Sequence, residues 1–221
     1  MISNTAQQGT GMLAMFVNLD PRWVDDFRIW LKEDMFSARL NIGFHACASY
    51  DLLPETNAAK LLNPAFLTVY ETASLGNLYS EPYQALRRNR DTKDEVFHQR
   101  FLDAERYTLS WVGPELSAGT PGFLPFVYVD RFDLTTKNVQ KFNQWFIDEY
   151  LPGCEEIESL VRLRRYTTIE GNRRVFLFHE FDDIYAINDK AWNTLRGNEV
   201  WKNVAIDQGS SAAYRRIISE T

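Results

Sequence analysis

The segments VDDFRIWLKEDMF (24–36) and VQKFNQWFIDEYL (139–151) decide the fold, because the second repeats the first 115 positions later. In both segments apolar residues recur at the i, i+3 and i+4 spacing of an amphipathic helix with one buried stripe. Trp30 of the first segment corresponds to Trp145 of the second, and an acidic pair follows each tryptophan. We therefore predict two equivalent helices and, with them, two copies of a larger unit.

A second alignment, offset by 109 positions, joins FLTVYETAS (66–74) to VFLFHEFDD (175–183). It places Tyr70 on His179, and it continues without a gap into segments that end in LRRN and LRGN. Around these anchors each half has the order strand, helix, strand, strand, helix, strand. This order is typical of the ferredoxin-like (βαββαβ) unit, an antiparallel sheet with helices on one face only. The fold class predicted is α+β.

The uncovered face of each sheet must be buried by something else. The chain is predicted to be a tandem duplication of ferredoxin-like units. Half one spans residues 1–112 and half two spans residues 126–221. The Gly- and Pro-rich segment 113–125, GPELSAGTPGFLP, is predicted as the linker.

Composition excludes several classes of function. The chain has 221 residues, a formal charge of -6 and no long basic run, which argues against nucleic acid as a partner. It has no apolar stretch near the roughly 18 residues of a membrane span, and its start lacks the pattern of a secretory signal, so we expect a cytoplasmic protein. Cys47 and Cys154 lie far apart without ligand spacing, and no metal site is predicted.

The segments WFIDEYLPG (145–153) and VRLRRY (161–166) carry a family resemblance. They are similar to the W-x-x-x-H-x-P and R-x-x-x-Y pattern of EthD-like and antibiotic-biosynthesis-monooxygenase-like proteins, members of the dimeric α+β barrel superfamily. The resemblance implies that the two sheets meet face to face with the helices outside, forming an intramolecular α+β barrel. It also implies small-molecule chemistry or binding in a cavity on the sheet. Tyr150 stands where such families often have a histidine, so the role of that histidine is not carried over. Relatives of this barrel hold haem through a histidine, which makes haem the alternative to our prediction of no cofactor.

Alternation along the strands predicts which side chains face the cavity between the sheets, if the more apolar set of each strand packs against the helices. The residues assigned to the cavity are His45, Tyr70, Tyr128, Asp130, Arg162, Arg164, Tyr166 and His179. We assign catalysis to His179, His45 and Tyr70, with the two histidines as an acid/base pair. Substrate binding is assigned to Arg162, Arg164, Tyr128, Asp130 and Tyr166, with the arginines as an anion clamp.

Other interpretations stay open. His179 is equally well explained as a core histidine, and Asp130 could pair with Arg162 or Arg164 in a seam without ligand. If Glu180 faces the cavity in place of His179, Glu71 does so too.

No nucleophile elbow, phosphate-binding loop, dinucleotide fingerprint or HExxH motif is present, which leaves proton chemistry. The function predicted is a cofactor-independent lyase, isomerase or decarboxylase acting on a small anionic aromatic or cyclic metabolite. The alternatives are a cofactor-free monooxygenase on an aromatic substrate and a non-catalytic small-molecule binding protein. Self-association of the full chain is left open.

Overall fold

The computed structural model of the chain describes residues 9–54, 63–117, 122–202 and 211–221. All strands within these ranges belong to one antiparallel sheet. The strands are β1 (Gly11–Asn18), β2 (Phe44–Leu52), β3 (Phe66–Thr72), β4 (Leu102–Trp111), β5 (Leu116–Ser117), β6 (Phe126–Phe132), β7 (Leu160–Glu170), β8 (Val175–Phe181) and β9 (Ser211–Glu220).

Two of the helices are the segments that repeat in the sequence, and each contains a π-helical turn in its middle. Helix α1 runs through Val24–Trp30, Leu31–Phe36 and Ser37–Leu40, and helix α4 runs through Thr136–Trp145, Phe146–Tyr150 and Leu151–Glu155. The remaining helices are α2 (Glu81–Arg88), α3 (Thr92–Arg100), α5 (Lys190–Arg196) and α6 (Glu199–Lys202). The predicted buried stripes are confirmed, since Trp30 is 1% exposed and Trp145 is 4% exposed.

The sheet closes into an eight-stranded barrel. Its strand order is β4-β1-β3-β2-β9-β6-β8-β7, and β7 returns to pair with β4 through Trp111↔Tyr166. Each half contributes four strands in the same relative order, and the halves join at β2–β9 and at β4–β7. The predicted α+β class and barrel are confirmed. The origin of the two halves by duplication, and the domain boundaries at residues 112 and 126, stay predictions.

The segment predicted as a linker takes part in the barrel. Leu116–Ser117 pairs with β7, and Phe123 is buried in the barrel interior. Leu124 contacts the same end of the barrel through its main chain, where its carbonyl accepts a hydrogen bond of 3.0 Å from the Tyr50 hydroxyl. The segment therefore contributes packing to both halves as well as joining them.

Because the barrel is closed and covered by helices, strands such as β3 and β8 are buried on both faces. The interior is filled by small and aromatic side chains such as Ala48, Phe16 and Phe178, as expected for a barrel of eight strands. Outside the barrel, the helices of each half cover a second apolar layer. We call these the half-one helix layer, which includes Trp30 and Tyr70, and the half-two helix layer, which includes Trp145.

The predicted assignment of strand faces is wrong for most strands. Tyr70 packs in the half-one helix layer, and Tyr128, Asp130 and His179 lie beneath the helices of half two, whereas their apolar neighbours fill the barrel. The rule that the more apolar face meets the helices fails here because the inside of a closed barrel is itself dry and apolar. Only for β7 does the rule hold: Arg162, Arg164 and Tyr166 face the interior.

Candidate functional site

Four charged side chains inside one end of the barrel form an interior ion cluster, defined by Glu71, Arg162, Arg164 and Glu180. Arg162 donates from Nε to Oε1 of Glu180 over 2.8 Å and from Nη2 to Oε2 over 2.5 Å. Arg164 joins the two carboxylates, with Nε 3.0 Å from Oε1 of Glu180 and Nη1 2.9 Å from Oε1 of Glu71. The cluster alternates positive and negative charges, and its two arginines are 1% exposed.

Main-chain groups complete the interior ion cluster. The Gly9 amide donates to Oε1 of Glu71 over 3.0 Å, and the Leu124 amide donates to Oε2 of Glu180 over 3.2 Å. Burial disfavours the charge of Glu71, but the Arg164 guanidinium outweighs it, and the pKa of Glu71 is lowered to about 2. The pKa of Glu180 is also lowered, since two guanidiniums outweigh its burial. Both carboxylates are ionised at neutral pH.

The predicted anion clamp is therefore already engaged, because Arg162 and Arg164 bind carboxylates of the chain itself. Their partners are Glu180 and Glu71 and not Asp130. This agrees with the alternative assignment, in which Glu180 and Glu71 face the cavity. The hydroxyl of Tyr166 points into this interior without a hydrogen-bond partner and is buried. A substrate anion would have to displace a buried glutamate to reach either arginine.

His45 lies at a register shift in β2, where Phe44 and Ala46 pair with consecutive residues of β3. Its side chain is 37% exposed, and Nε2 stands 3.9 Å from Oε2 of Glu71. The shift turns His45 toward the mouth of the barrel beside the interior ion cluster. The predicted acid/base pair is not formed, because His179 lies on the opposite face of the sheet.

His179 belongs to a buried network in the half-two helix layer. Its Nδ1 lies 3.2 Å from the carbonyl oxygen of Tyr128, and its Nε2 lies 2.9 Å from the hydroxyl of Tyr150. A carbonyl only accepts hydrogen bonds, so Nδ1 carries the proton and Nε2 accepts from Tyr150. Trp192 packs edge-on against the imidazole at a centroid distance of 5.0 Å. Both ring nitrogens are thus occupied, and the side chain is fully buried.

Asp130 is the charged centre of the same network. Arg196 donates to both of its oxygens, over 2.8 Å and 2.7 Å, and Ser211 donates to Oδ1 over 2.5 Å. Burial disfavours the carboxylate, but the Arg196 charge outweighs this and lowers the pKa of Asp130. The guanidinium of Arg196 also stacks on aromatic rings, with Tyr128 at 4.8 Å.

Burial is the main influence on the imidazole of this network. It lowers the pKa of His179 to about 4, and the charge of Asp130, 3.7 Å from Nδ1, offsets this only in part. His179 is therefore neutral at pH 7. A neutral imidazole with both nitrogens bonded inside the helix layer is a core histidine by geometry, and its assignment as a catalytic residue stays a prediction that these contacts do not support.

An open groove of about 360 Å³ lies beside α4 in half two and has the size of a small-molecule site. We call it the Arg165 groove. Its lining residues are Val112, Leu134, Val139, Phe142, Asn143, Arg165, Tyr166, Thr167, Arg174 and Val175. Most of the lining is apolar, and the charged side chains in it are both cationic.

Arg165 is the side chain that distinguishes this groove. It is 9% exposed, donates from Nη1 to Oδ1 of Asn143 over 2.9 Å, and stacks at 4.8 Å on Phe146. No carboxylate of the described ranges forms an ion pair with it, and burial lowers its pKa. A buried cation without a counter-ion, beside an apolar groove of ligand size, favours the binding of an anion.

Sequence reasoning missed three of these residues. Arg165 follows Arg164 in RLRRY, and strand alternation puts it on the helix side, where a charge among apolar residues is itself a signal. Arg196 recurs in half one as Arg87, and such repetition favours a scaffold role. Tyr150 departs from a family pattern, and the signal that could have found it is a polar side chain on the apolar stripe of α4, where the repeat has Met35.

Haem held by His179 or His98 does not fit the side chains around them. His179 has no nitrogen to offer, and its surroundings are filled by Tyr150, Trp192 and other aromatic rings. His98 uses Nδ1 on the Asp94 carbonyl at 2.7 Å and lines a cavity of only about 90 Å³, too small for a porphyrin. No metal-ligating cluster of three or more His, Cys, Asp or Glu is found in the described part of the chain.

Neither a scan against models of protein families nor a search of curated proteins finds a match. None of the helices in the described ranges is long and apolar enough to cross a membrane.

Solved structures do resemble the chain. An anthrone oxidase-like protein superposes with a TM-score of 0.62 at 11% identity, covering 98% of this chain and 94% of that one. A proposed monooxygenase from Lactobacillus acidophilus NCFM gives 0.61 at 9% identity, covering 96% of each chain. A chlorite dismutase variant from Candidatus Nitrospira defluvii, in complex with cyanide, gives 0.62 at 10% identity, covering 96% and 93%. At these identities the likeness concerns the fold alone, and the chain has the α+β barrel fold of these proteins.

Proposed function

We propose that the chain is a small-molecule enzyme that binds an aromatic anion in the Arg165 groove and oxygenates it without a cofactor. The observation that carries this proposal is the buried guanidinium of Arg165, which has no carboxylate partner among the described residues and lies beside apolar walls. A substrate that ionises to a resonance-stabilised carbanion spreads its charge onto an oxygen. Arg165 would stabilise that oxygen, and the aromatic body would lie along Phe142 and Val139.

The chemistry then requires only the substrate and dioxygen. An activated CH₂ loses a proton, its carbanion adds O₂ to form a peroxide anion, and loss of hydroxide leaves a carbonyl. The sum is R₂CH₂ + O₂ → R₂C=O + H₂O. One oxygen atom enters the product and the other leaves as water, so no external reductant is needed. The chain's contribution is to bind and orient the anion.

The predicted lyase or isomerase reaction fits the groove less well. Such reactions need a positioned proton acceptor, and the residues described along the groove include no carboxylate and no imidazole. His179 would need to lose its bonds to Tyr150 and Tyr128 before it could transfer a proton. A substrate acidic enough to ionise in water needs no such base, which favours oxygenation.

The test is oxygen uptake with anthrone, whose CH₂ is activated in this way, followed by mass spectrometry of the product. Wild type should consume one O₂ per molecule oxidised. Replacing Arg165 with Gln should lower kcat/KM about 100-fold or more, as for loss of an oxyanion-binding group, and Arg165→Lys should recover part of it. Arg22→Gln is the matched control, because Arg22 is an exposed cation that is distant in sequence from Arg165 and pairs locally with Asp20.

Three results would contradict the proposal. Equal activity in wild type and Arg165→Gln would remove the groove from the reaction. Product formation without oxygen uptake would favour the lyase or isomerase interpretation. Recovery of an unchanged bound ligand from the purified protein, with no turnover of a panel of enolisable aromatics, would favour a binding protein.

A further inference from the structure

A second group of cations surrounds a cavity of about 90 Å³ in the half-one helix layer, between β1 and the helices α1, α2 and α3. We call it the Arg39 cavity. The charged side chains and the imidazole that line it are Arg39, Arg87, Arg90, Asp94, His98 and Arg106. The cavity thus has four guanidinium groups against one carboxylate.

Arg39 is the buried member of this group. It is 6% exposed, and among the described residues its Nη1 donates only to the carbonyl oxygen and the sulfur of Met35, at 3.2 Å and 3.3 Å. Its Nε is buried without a hydrogen-bond partner, and the guanidinium stacks on Tyr70 at 4.4 Å. No carboxylate in the described ranges lies within the 4.0 Å limit of an ion pair with Arg39. An unpaired cation at this depth is costly unless an anion joins it.

The other charges at the cavity do not neutralise Arg39. Arg106 is paired with Glu170 over 2.8 Å, while Arg87 and Arg90 are exposed at the rim and form no ion pair with a described residue. The carboxylate of Asp94 accepts a hydrogen bond of 2.9 Å from the Trp30 indole.

His98 does not change the net charge of the cavity. Its Nδ1 lies 2.7 Å from the Asp94 carbonyl, and its pKa is lowered by burial and further by the cations Arg90 and Arg39. The imidazole is therefore neutral at pH 7 and leaves the excess positive charge of the cavity as it is.

We propose that the Arg39 cavity is a binding site for a small oxyanion, of the size of phosphate or sulfate. The volume is what about three water molecules occupy, enough for one tetrahedral anion and too small for a nucleotide. Arg39 would donate from Nε and Nη to two oxygens in its planar fork, and the rim arginines would attract the anion and close over it. The site lies in the other half from the Arg165 groove.

The experiment is calorimetric titration of protein dialysed free of phosphate and sulfate, at constant ionic strength set with sodium chloride. Inorganic phosphate and sulfate should bind saturably with one site and raise the melting temperature, whereas chloride should not. Phenyl phosphate and acetate are two further ligands. Binding of phenyl phosphate tighter than phosphate would identify the headgroup of a larger metabolite as the ligand, and preference for free phosphate would identify the inorganic ion.

Variants locate the site. Arg39→Lys keeps the charge but loses the fork, so phosphate affinity should fall about tenfold. The double variant Arg87→Gln/Arg90→Gln changes only exposed side chains, so it tests the rim even if the buried substitution does not fold, and it should weaken binding about threefold or more. Arg88→Gln is the control, since Arg88 is exposed, pairs with Glu81 and does not line the cavity. Absence of saturable binding up to about 10 mM phosphate or sulfate, or equal affinity in all variants, would overturn the proposal.

Discussion

The two helix layers occupy equivalent places in the two halves but contain different side chains. The repeat places Met35 at the position of Tyr150 and Tyr70 at the position of His179. Strand register extends the comparison, because Leu13 pairs with Tyr70 as Tyr128 pairs with His179, which puts Met15 where half two has Asp130. Half two therefore holds a satisfied polar network, and half one holds thioethers.

One arginine position shows the consequence of this difference. Arg196 is buried against Asp130, whereas its repeat counterpart Arg87 is exposed and stacks only at 6.0 Å on Tyr83. Half one has Met15 in place of that carboxylate, so its arginine has no counterpart of Asp130 to pair with, and the Arg39 cavity lies beside it. The same backbone plan thus gives a filled, structural layer in one half and an open, cationic one in the other.

The largest expected effect comes from breaking the ion pair of half two. Arg196→Leu leaves the fully buried Asp130 without its guanidinium, so we expect the free energy of unfolding to fall by about 3–5 kcal/mol. The matched change in half one, Arg87→Leu, removes an exposed side chain and should cost less than about 0.5 kcal/mol. Urea unfolding in phosphate-free buffer measures both. Similar losses in the two variants would mean that the layers are energetically alike.

The second effect is a pH dependence that His179 gives to half two. Its pKa is lowered from 6.5 to about 4 by burial, so the unfolded chain binds a proton before the folded one does. The stability that this contributes is fully present above pH 6.5 and is lost as the pH falls toward 4, by about 3 kcal/mol in all. Measuring unfolding free energy from pH 7.5 to pH 4 should show this loss.

His179→Gln is the variant that isolates this term. It should flatten the plot of unfolding free energy against pH between pH 6.5 and pH 4. It should also lower the melting temperature at neutral pH, as for a core histidine. The lowered pKa of His98 acts in the same window and stays in the variant, so a residual slope is expected. An unchanged melting temperature combined with a large loss of turnover would return His179 to the catalytic role predicted from the sequence.

The third effect is smaller. Tyr150→Phe removes the hydroxyl that Nε2 of His179 accepts from, and it leaves a buried acceptor unsatisfied, at a cost of about 1–3 kcal/mol. A double-mutant cycle with His179→Gln should give a coupling energy of about 0.5 kcal/mol or more. Additive losses would show that the two side chains stabilise the layer independently.

An effect smaller than that of Tyr150→Phe is expected at the half-one counterpart of Tyr150. Met35→Leu conserves volume and loses only the contact between Sδ and Arg39, so it should cost less than about 1.5 kcal/mol and little of that through hydrogen bonding. The difference in unfolding free energy between this variant and Tyr150→Phe measures how unequally the two positions contribute to stability. A larger loss at Met35 than at Tyr150 would reverse the comparison.

Much of the fold was predictable because it depends on local patterns. The spacing of Phe27 and Trp30 predicts an amphipathic helix whatever the tertiary fold, and the same spacing recurs at Phe142 and Trp145. The order of elements in each half predicted two sheets with one open face each, and the family resemblance implied that these faces meet in a barrel. The candidate site was predicted less well, since Arg165 and Tyr150 were not selected and the cavity set is divided between two faces of the sheet.

The sequence by itself determined the helices, the strand order and the presence of charged residues on buried strands, because periodicity and repetition are properties of the chain. Only the tertiary structure decided which face of each strand is the barrel interior. Strands such as β3 and β8 are buried on both faces, so their hydrophobicity does not distinguish inside from outside. Which charges meet also depends on closure: Arg164 reaches Glu71, 93 residues away in the chain, only because the two halves close into one barrel.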